Sequence, residues 1–249
     1  MTHFQRVVKY IAIFLAFFLA FSIVVGGISL MAAIFGFENN SVLEEFYSVE
    51  ISQDIDKVDI DISAASLKIV IGDRFSLSTN IGNLEASSEN SRLYVKQKQR
   101  HVNINSGKSG EIIITVPENA SFKSFDLDAG AGAVDIECLN AERVDMDMGA
   151  GALTLRGGVI GKMELDLGVG KTDLTAAIKG NSSINCGVGK TDINILGQKS
   201  DYSFDIDTGI GSIMLENTII GRDEVIGDGQ YKIDIDGGVG SVNIDFINE

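Results

Sequence analysis

The chain has 249 residues, 45% of them hydrophobic, with 28 glycines, one proline and a formal net charge of −15. That apolar content excludes a disordered chain and leaves room for one or two domains with a real core. The acidic balance excludes nucleic acid as a partner, because a net-negative surface repels the phosphate backbone.

The stretch Tyr10 to Phe37, "YIAIFLAFFLAFSIVVGGISLMAAIFGF", carries no charge. About twenty apolar residues, rising ~1.5 Å each, cross a bilayer, so the stretch predicts a transmembrane α-helix over 10–37 with tilt or fraying at Gly26 and Gly27. Its length, and the lack of a well-placed A-x-A site or lipobox, favour an uncleaved signal anchor over a cleaved signal peptide. Arg6 and Lys9 precede it, whereas "FENNSVLEEFYSVE" after it carries only acids. The positive-inside rule then leaves residues 1–9 as a cytoplasmic tail of a single-pass protein in a bacterial cell membrane, with everything after the span extracytoplasmic. Past Phe37 the chain has 18 basic against 35 acidic residues, a net of −17.

Residues 38–48 read as a linker, and 49–126 as an N-terminal β-hairpin and capping part of the repeats that follow. "FSLSTNI", "SRLYVKQKQRHVNI" and "GEIIITVP" alternate like strands between polar turns. "KVDIDISAASLKIVIG" from Lys57 reads as a degenerate repeat, with Ser63, Ala65, Leu67 and Ile69 where the later copies have Gly, Gly, apolar and apolar.

From Leu127 to the C-terminus a G-x-G pair recurs six times, its first glycines at 130, 149, 168, 187, 209 and 238. The intervals are 19, 19, 19, 22 and 29 residues, a regular period followed by insertions, as in stacked supersecondary units. Three residues before the first glycine stand Leu127, Met146, Leu165, Ile184, Ile206 and Ile235; six after it stand Ile136, Leu155, Leu174, Ile193, Leu215 and Ile244. Both columns are apolar, and alternation about them predicts two short strands per repeat, joined by a tight glycine bend. The residue between the glycines is always Ala, Val or Ile, which suggests a small group turned inward. Gly161, Gly180 and Gly221, twelve residues after the first glycine in three copies, mark a second corner. The expected fold is therefore all-β: a β-solenoid of ~19-residue coils over 127–249, of parallel β-helix or β-roll type.

Two of the bends read "GVGKTD", which resembles the end of a phosphate-binding loop. The leading glycine that such a loop requires falls at Leu165 and Ile184, and no helix follows, so nucleotide binding is excluded. Two residues before the first glycine the column reads Asp128, Asp147, Asp166, Asn185, Asp207 and Asp236. Stacked at about 4.8 Å, such carboxylates repel by roughly 1 to 4 kcal/mol per neighbouring pair. A divalent metal would relieve this, since Ca²⁺ takes six to eight oxygens; Asp128, Asp147, Asp166, Asp207 and Asp236 are the candidate ligands, with weak Ca²⁺ binding as the outcome. A solvated outer face needs no metal and is preferred, because alternation points the column outward. The calcium nonapeptide pattern is not met, as the acids at Asp135, Asp173 and Asp192 come one residue late.

Catalysis lacks a constellation. His101 is the only histidine past the apolar segment, so neither a His-based triad nor a zinc cluster can be assembled. Lys171 and Lys190, each two residues from an Asp, read as a charge-compensating ladder. Cys138 and Cys186 have no C-x-x-C spacing; one disulfide stays open, and two buried free thiols are preferred. The basic patch "YVKQKQRH" from Tyr94 reads as a solvated face, with docking of an anionic glycan or lipid head as the alternative. The last strand, "GSVNIDFINE", ends the chain on an apparent ladder edge. That edge is expected either to be covered by the insertion between Asn217 and Gln230 or to pair with another chain.

The run "IIITVPENASFKSFDLDAGAGAVDI", followed by repeated G-x-G strand pairs, resembles a family of bacterial membrane-anchored proteins whose β-strand-repeat domain has unknown function. They are the putative adhesins, which include LiaG-like proteins of envelope-stress operons, and the resemblance spans roughly Val49 to Asp245. It implies a β-solenoid with an envelope role and supplies no catalytic residue. The expected function is a non-enzymatic, adhesin-like interaction or envelope-stress module. A carbohydrate-active β-solenoid enzyme and a calcium-dependent adhesive domain are the alternatives.

Overall fold

A computed structural model of the chain describes residues 42–52, 54–98, 110–221 and 223–247. The predicted membrane helix over 10–37, the tail before it and His101 lie outside the described residues. Among those that are described, no helix is long and apolar enough to cross a membrane.

The described chain is all-β, and its sheet is mixed but mostly parallel. The N-terminal part supplies β1 (Val42–Val49), β2 (Lys57–Ala64), β3 (Ser66–Gly72), β4 (Ser76–Ile81), β5 (Leu84–Glu89), β6 (Arg92–Gln97) and β7 (Glu111–Pro117). The first four repeats are β8 (Ser124–Ile136), β9 (Ala141–Leu155), β10 (Val159–Ile178) and β11 (Ser182–Leu196). The fifth repeat splits into β12 (Tyr202–Asp207) and β13 (Ile210–Leu215), and its insertion holds β14 (Thr218–Ile219) and β15 (Glu224–Ile226). The sixth is β16 (Tyr231–Asp236) and β17 (Val239–Ile247). A 3₁₀ turn at Lys199–Asp201 is the one helical element among the described residues.

Each repeat forms one rung, paired in parallel with the next at the offset the sequence period sets: Leu127 lies beside Met146, Met146 beside Leu165, and Leu165 beside Ile184. Both predicted apolar columns are buried, every member at 3% exposure or less. Each such side chain contributes roughly 1.5 to 3 kcal/mol by its removal from water. The degenerate repeat is also a rung, since Ile60 pairs with Leu127 and Ile69 with Ile136. Two aromatic clusters, Phe75–Phe122–Phe125 and Tyr202–Phe204–Tyr231–Phe246, add bulk to this aliphatic core.

Three expectations are corrected. In β8 to β11 the strand runs through the glycine corner instead of breaking into two. The residue between the glycines points outward: Ala131, Ala150, Val169, Val188 and Ile210 are exposed. At a convex corner the inside is already filled by the residues on either side, such as Met148 and Leu153, both buried. Of the second-corner glycines, Gly180 lies in the turn between β10 and β11, Gly161 lies just inside β10, and Gly221 belongs to the insertion.

The third correction concerns order. The C-terminal repeat does not form the edge: β17 pairs with β11 on one side and β13 on the other, and β16 likewise sits between β11 and β12. The outermost rung at this end is therefore the fifth repeat, and the insertion covers it, with β15 antiparallel to β12 and β14 antiparallel to β13. The opposite end has the same plan. There β6 and β7 pair in parallel outside β2 and β3, although they follow them in sequence, and β5 and β4 cap them antiparallel.

Candidate functional site: an acid-lined face

Alternation sends residues two apart to the same side of a strand, and the parallel register stacks them across rungs. The sequence-predicted Asp column is assembled in this way. Asp128 lies beside Asp147, Asp147 beside Asp166, and Asp166 beside Asn185. Beyond Asn185 comes Asp236 and then Asp207, the reverse of their sequence order. Asp61 extends the column at its other end, beside Asp128, with Lys96 beyond it.

A second column, not anticipated from the sequence, runs parallel to the first on the same face. It comprises Asp59, Asp126, Asp145, Glu164, Ser183, Asp234 and Asp205, with Tyr94 at its head. Its signal was present as a repeated acid-x-Asp motif, in "DID", "DLD", "DMD", "ELD", "DID" and "DID". Two columns spaced by one residue along the strand, with rungs about 4.8 Å apart, make a two-dimensional carboxylate lattice.

Cations compensate the second column more than the first. Arg92 bridges to Asp59 at 3.4 Å, Arg143 to Asp126 at 3.6 Å, Lys162 to Glu164 at 2.5 Å, and Lys232 to both Asp205 at 3.0 Å and Asp234 at 2.7 Å. In the first column Lys96 meets Asp61 at 2.5 Å, and the Asn185 amide donates to Asp166. Asp147 sits in the uncompensated middle. Partial burial, then the charges of Asp166 and Asp128, hold its carboxyl above the usual carboxylate range. Burial, then Glu164, Asp126 and Asp147, do the same to Asp145 against the opposing pull of Arg143.

The columns are lines of neighbours, not convergent shells. Among the described residues no group of three or more His, Cys, Asp or Glu side chains is placed to hold a metal ion. Where the columns reach β5 and β6, an open groove of about 760 Å³ is lined by Asp59, Asp61, Glu85, Ser87, Tyr94 and Lys96, among others.

No protein-family model and no curated protein matches the chain. Solved structures do match. A putative cell adhesion protein from Clostridium sporogenes is 13% identical with a TM-score of 0.46, over 82% of this chain and 99% of that one. A putative adhesin from Bacteroides fragilis is 18% identical with a TM-score of 0.41, over 82% and 98%. A putative lipid binding protein from Parabacteroides distasonis is 16% identical with a TM-score of 0.35, over 84% and 99%. The resemblance to putative adhesins read from the sequence is thus found among solved structures. At these identities and TM-scores it carries neither a site nor a ligand to this chain.

The remaining sequence candidates fall in place as follows. Lys171 and Lys190 are neighbours across rungs and pair with Asp173 at 3.4 Å and Asp192 at 2.5 Å, as a compensating ladder should. The described part of the basic patch is neutralised, since Lys96 meets Asp61 and Lys98 meets Glu85. Cys138 and Cys186 are free thiols, both partly buried. Burial raises the Cys186 thiol against a hydrogen bond with Thr191. That thiol lines a cavity of about 30 Å³ beneath the glycine corner, together with Leu167, Thr172 and Thr191. A space of this size holds about one water.

Proposed function

We propose that the chain is a non-enzymatic β-solenoid of about eight coils, carried outside a bacterial membrane on the anchor at 10–37, with its acid-lined face as the interaction surface. The observation that carries this reading is the double carboxylate column, which crosses the rungs with a break at Ser183 and Asn185 on β11 and is short of cations at Asp147. An acidic lattice of this kind favours a cationic ligand, through electrostatic steering and charge complementarity. The residues lie in rows instead of converging on one reacting atom, which supports binding over catalysis. The adhesin-like, envelope-associated role belongs to the same proposal.

The test is titration of the full chain with an oligolysine peptide at low and at moderate salt. Salt-sensitive binding that is lost in the Asp145→Asn, Asp147→Asn protein supports the reading; equal binding by both proteins removes it. A calcium-dependent adhesive surface is the second reading, favoured by the stacking of Asp128, Asp147 and Asp166 as neighbours across rungs. Millimolar Ca²⁺ should then raise the thermal midpoint of the chain, and Asp147→Asn with Asp166→Asn should abolish the rise. A glycan-cleaving activity lost in Asp166→Asn would replace both readings with a carbohydrate-active enzyme.

A further inference from the structure

The corner residues that turn outward form a continuous apolar row. In the order of the rungs it reads Val169, Val188, Val239 and Ile210. Val169 is 56% exposed, Val188 43% and Ile210 72%, while Val239 between the last two is half-buried. The glycines flanking each of them carry no side chain, so the four aliphatic groups stand as a ridge between two shallow grooves floored by backbone. At rung spacing the ridge is about 14 Å long.

Its flanks differ in charge. On one side stand Lys171 and Lys190, whose side chains are 58% and 53% exposed although each already pairs with an Asp of its own strand, so each can bridge to a second carboxylate across an interface. On the other stand Asp166, Asn185 and Asp236, two residues before each glycine pair. We infer that this ridge is the meeting surface of two copies of the chain, related by a two-fold axis parallel to the stacking direction.

Charge complementarity selects a second copy. Rotation about an axis along the stack exchanges the flanks, so Lys171 faces the partner's Asp166 and Lys190 lies between the partner's Asp166 and the partner's Asp236. A two-fold axis across the stack would instead set lysine against lysine. The contact is isologous, so each ridge residue lies close to its own counterpart. A ridge this short buries less than the ~800 Å² per partner of a standard interface, and the pair is correspondingly weak in dilute solution. The inference uses Asp166 only as a charge and does not depend on the acid face binding a ligand.

Crosslinking tests it. The full chain with Cys138→Ser and Cys186→Ser receives a single thiol at Val188→Cys, at Ile210→Cys, or at Val159→Cys, an exposed valine off the ridge. With a short thiol-specific crosslinker, dimer yield at both ridge positions should exceed the Val159→Cys control at least fivefold, and adding Val169→Asp should return it to control. Control-level yield at both ridge positions overturns the interface. Dimer at Val188→Cys but not at Ile210→Cys overturns the parallel arrangement, because an antiparallel pair brings only its centre into self-contact. If Val188→Cys fails to unfold cooperatively, Val239→Cys replaces it; if Ile210→Cys does, Val169→Cys at the other end of the ridge replaces it, with Val188→Asp as its disrupting change, and each is read against the same control.

Discussion

A methyl group added at Gly151 would lie 1.8 Å from the Gly132 carbonyl oxygen of the neighbouring rung, on a residue with φ of +140°. Neither the clash nor the left-handed backbone can relax without parting the rungs. Gly151→Ala should therefore destabilise the protein by about 2–3 kcal/mol or more. Gly157→Ala, whose Cβ would meet nothing closer than 3.9 Å, should be near neutral; chemical denaturation of the two variants checks the contrast. The G-x-G pair was therefore legible as a backbone requirement, but part of its cause, the adjacent rung, lies nineteen residues away in sequence. The second acid column was equally legible once alternation was followed one step further, from Asp147 back to Asp145. Asp147 gives a prediction with a definite sign. Its folded-state pKa is raised, by burial first and then by Asp166 and Asp128, so the fold favours its neutral form and loses stability as pH rises through that value. Asp147→Asn should raise the thermal midpoint at pH 7 by about 1–3 °C, a small gain because water screens this exposed group. The gain should shrink as pH falls toward the ordinary carboxylate range, where the wild-type group is protonated too. Asp135 has the opposite sign: the hydrogen bond from Arg156 holds its carboxyl low, so its contribution is present at neutral pH and lost only as pH falls through the depressed value.

At the scale of elements, every rung offers its neighbours the same columns of glycine and aliphatic residues, so almost any rung fits beside any other. This degeneracy is why the 19-residue period revealed the strands and their register but not the order of the last two repeats. The connections decide that order. After β13 the chain runs outward through β14 and β15, then returns to place β16 and β17 against β11. The longest interval, 29 residues, marks this crossing. A repeat at the end of a stack can usually be removed with the rest left folded. Here the last repeat is interior, and truncation after Gln230 should detach β12 to β15 along with it and abolish a single cooperative transition. Amide exchange gives a second reading. Ile244, paired with Ile193 on one side and Leu215 on the other, should be among the slowest amides of the chain. Exchange there as fast as at Thr218 in the cap would return the last strand to the edge.

For the whole molecule the governing quantity is charge, −15 over the full chain and −17 beyond Phe37. Much of it is gathered into two adjacent columns instead of being dispersed. Opposing effects follow. Salt weakens the exposed ion pairs at Asp61, Glu164 and Asp192, each of which contributes about 0–1 kcal/mol. It also screens repulsion that accumulates over many carboxylates, including those several rungs apart. The Debye length falls from about 30 Å at 0.01 M to about 10 Å at 0.1 M and 3 Å at 1 M, so the long-range part of the repulsion is removed first and the contact pairs last. The collective term should win, and the thermal midpoint should climb by several degrees between about 0.01 M and 0.3 M NaCl. Replacing Asp145 and Asp147 together by asparagine should flatten that dependence, because it empties the centre of both columns. A midpoint that falls with salt would show that the ion pairs outweigh the lattice. Repulsion within the acid face would then be too weak to favour binding of a cationic partner as its relief.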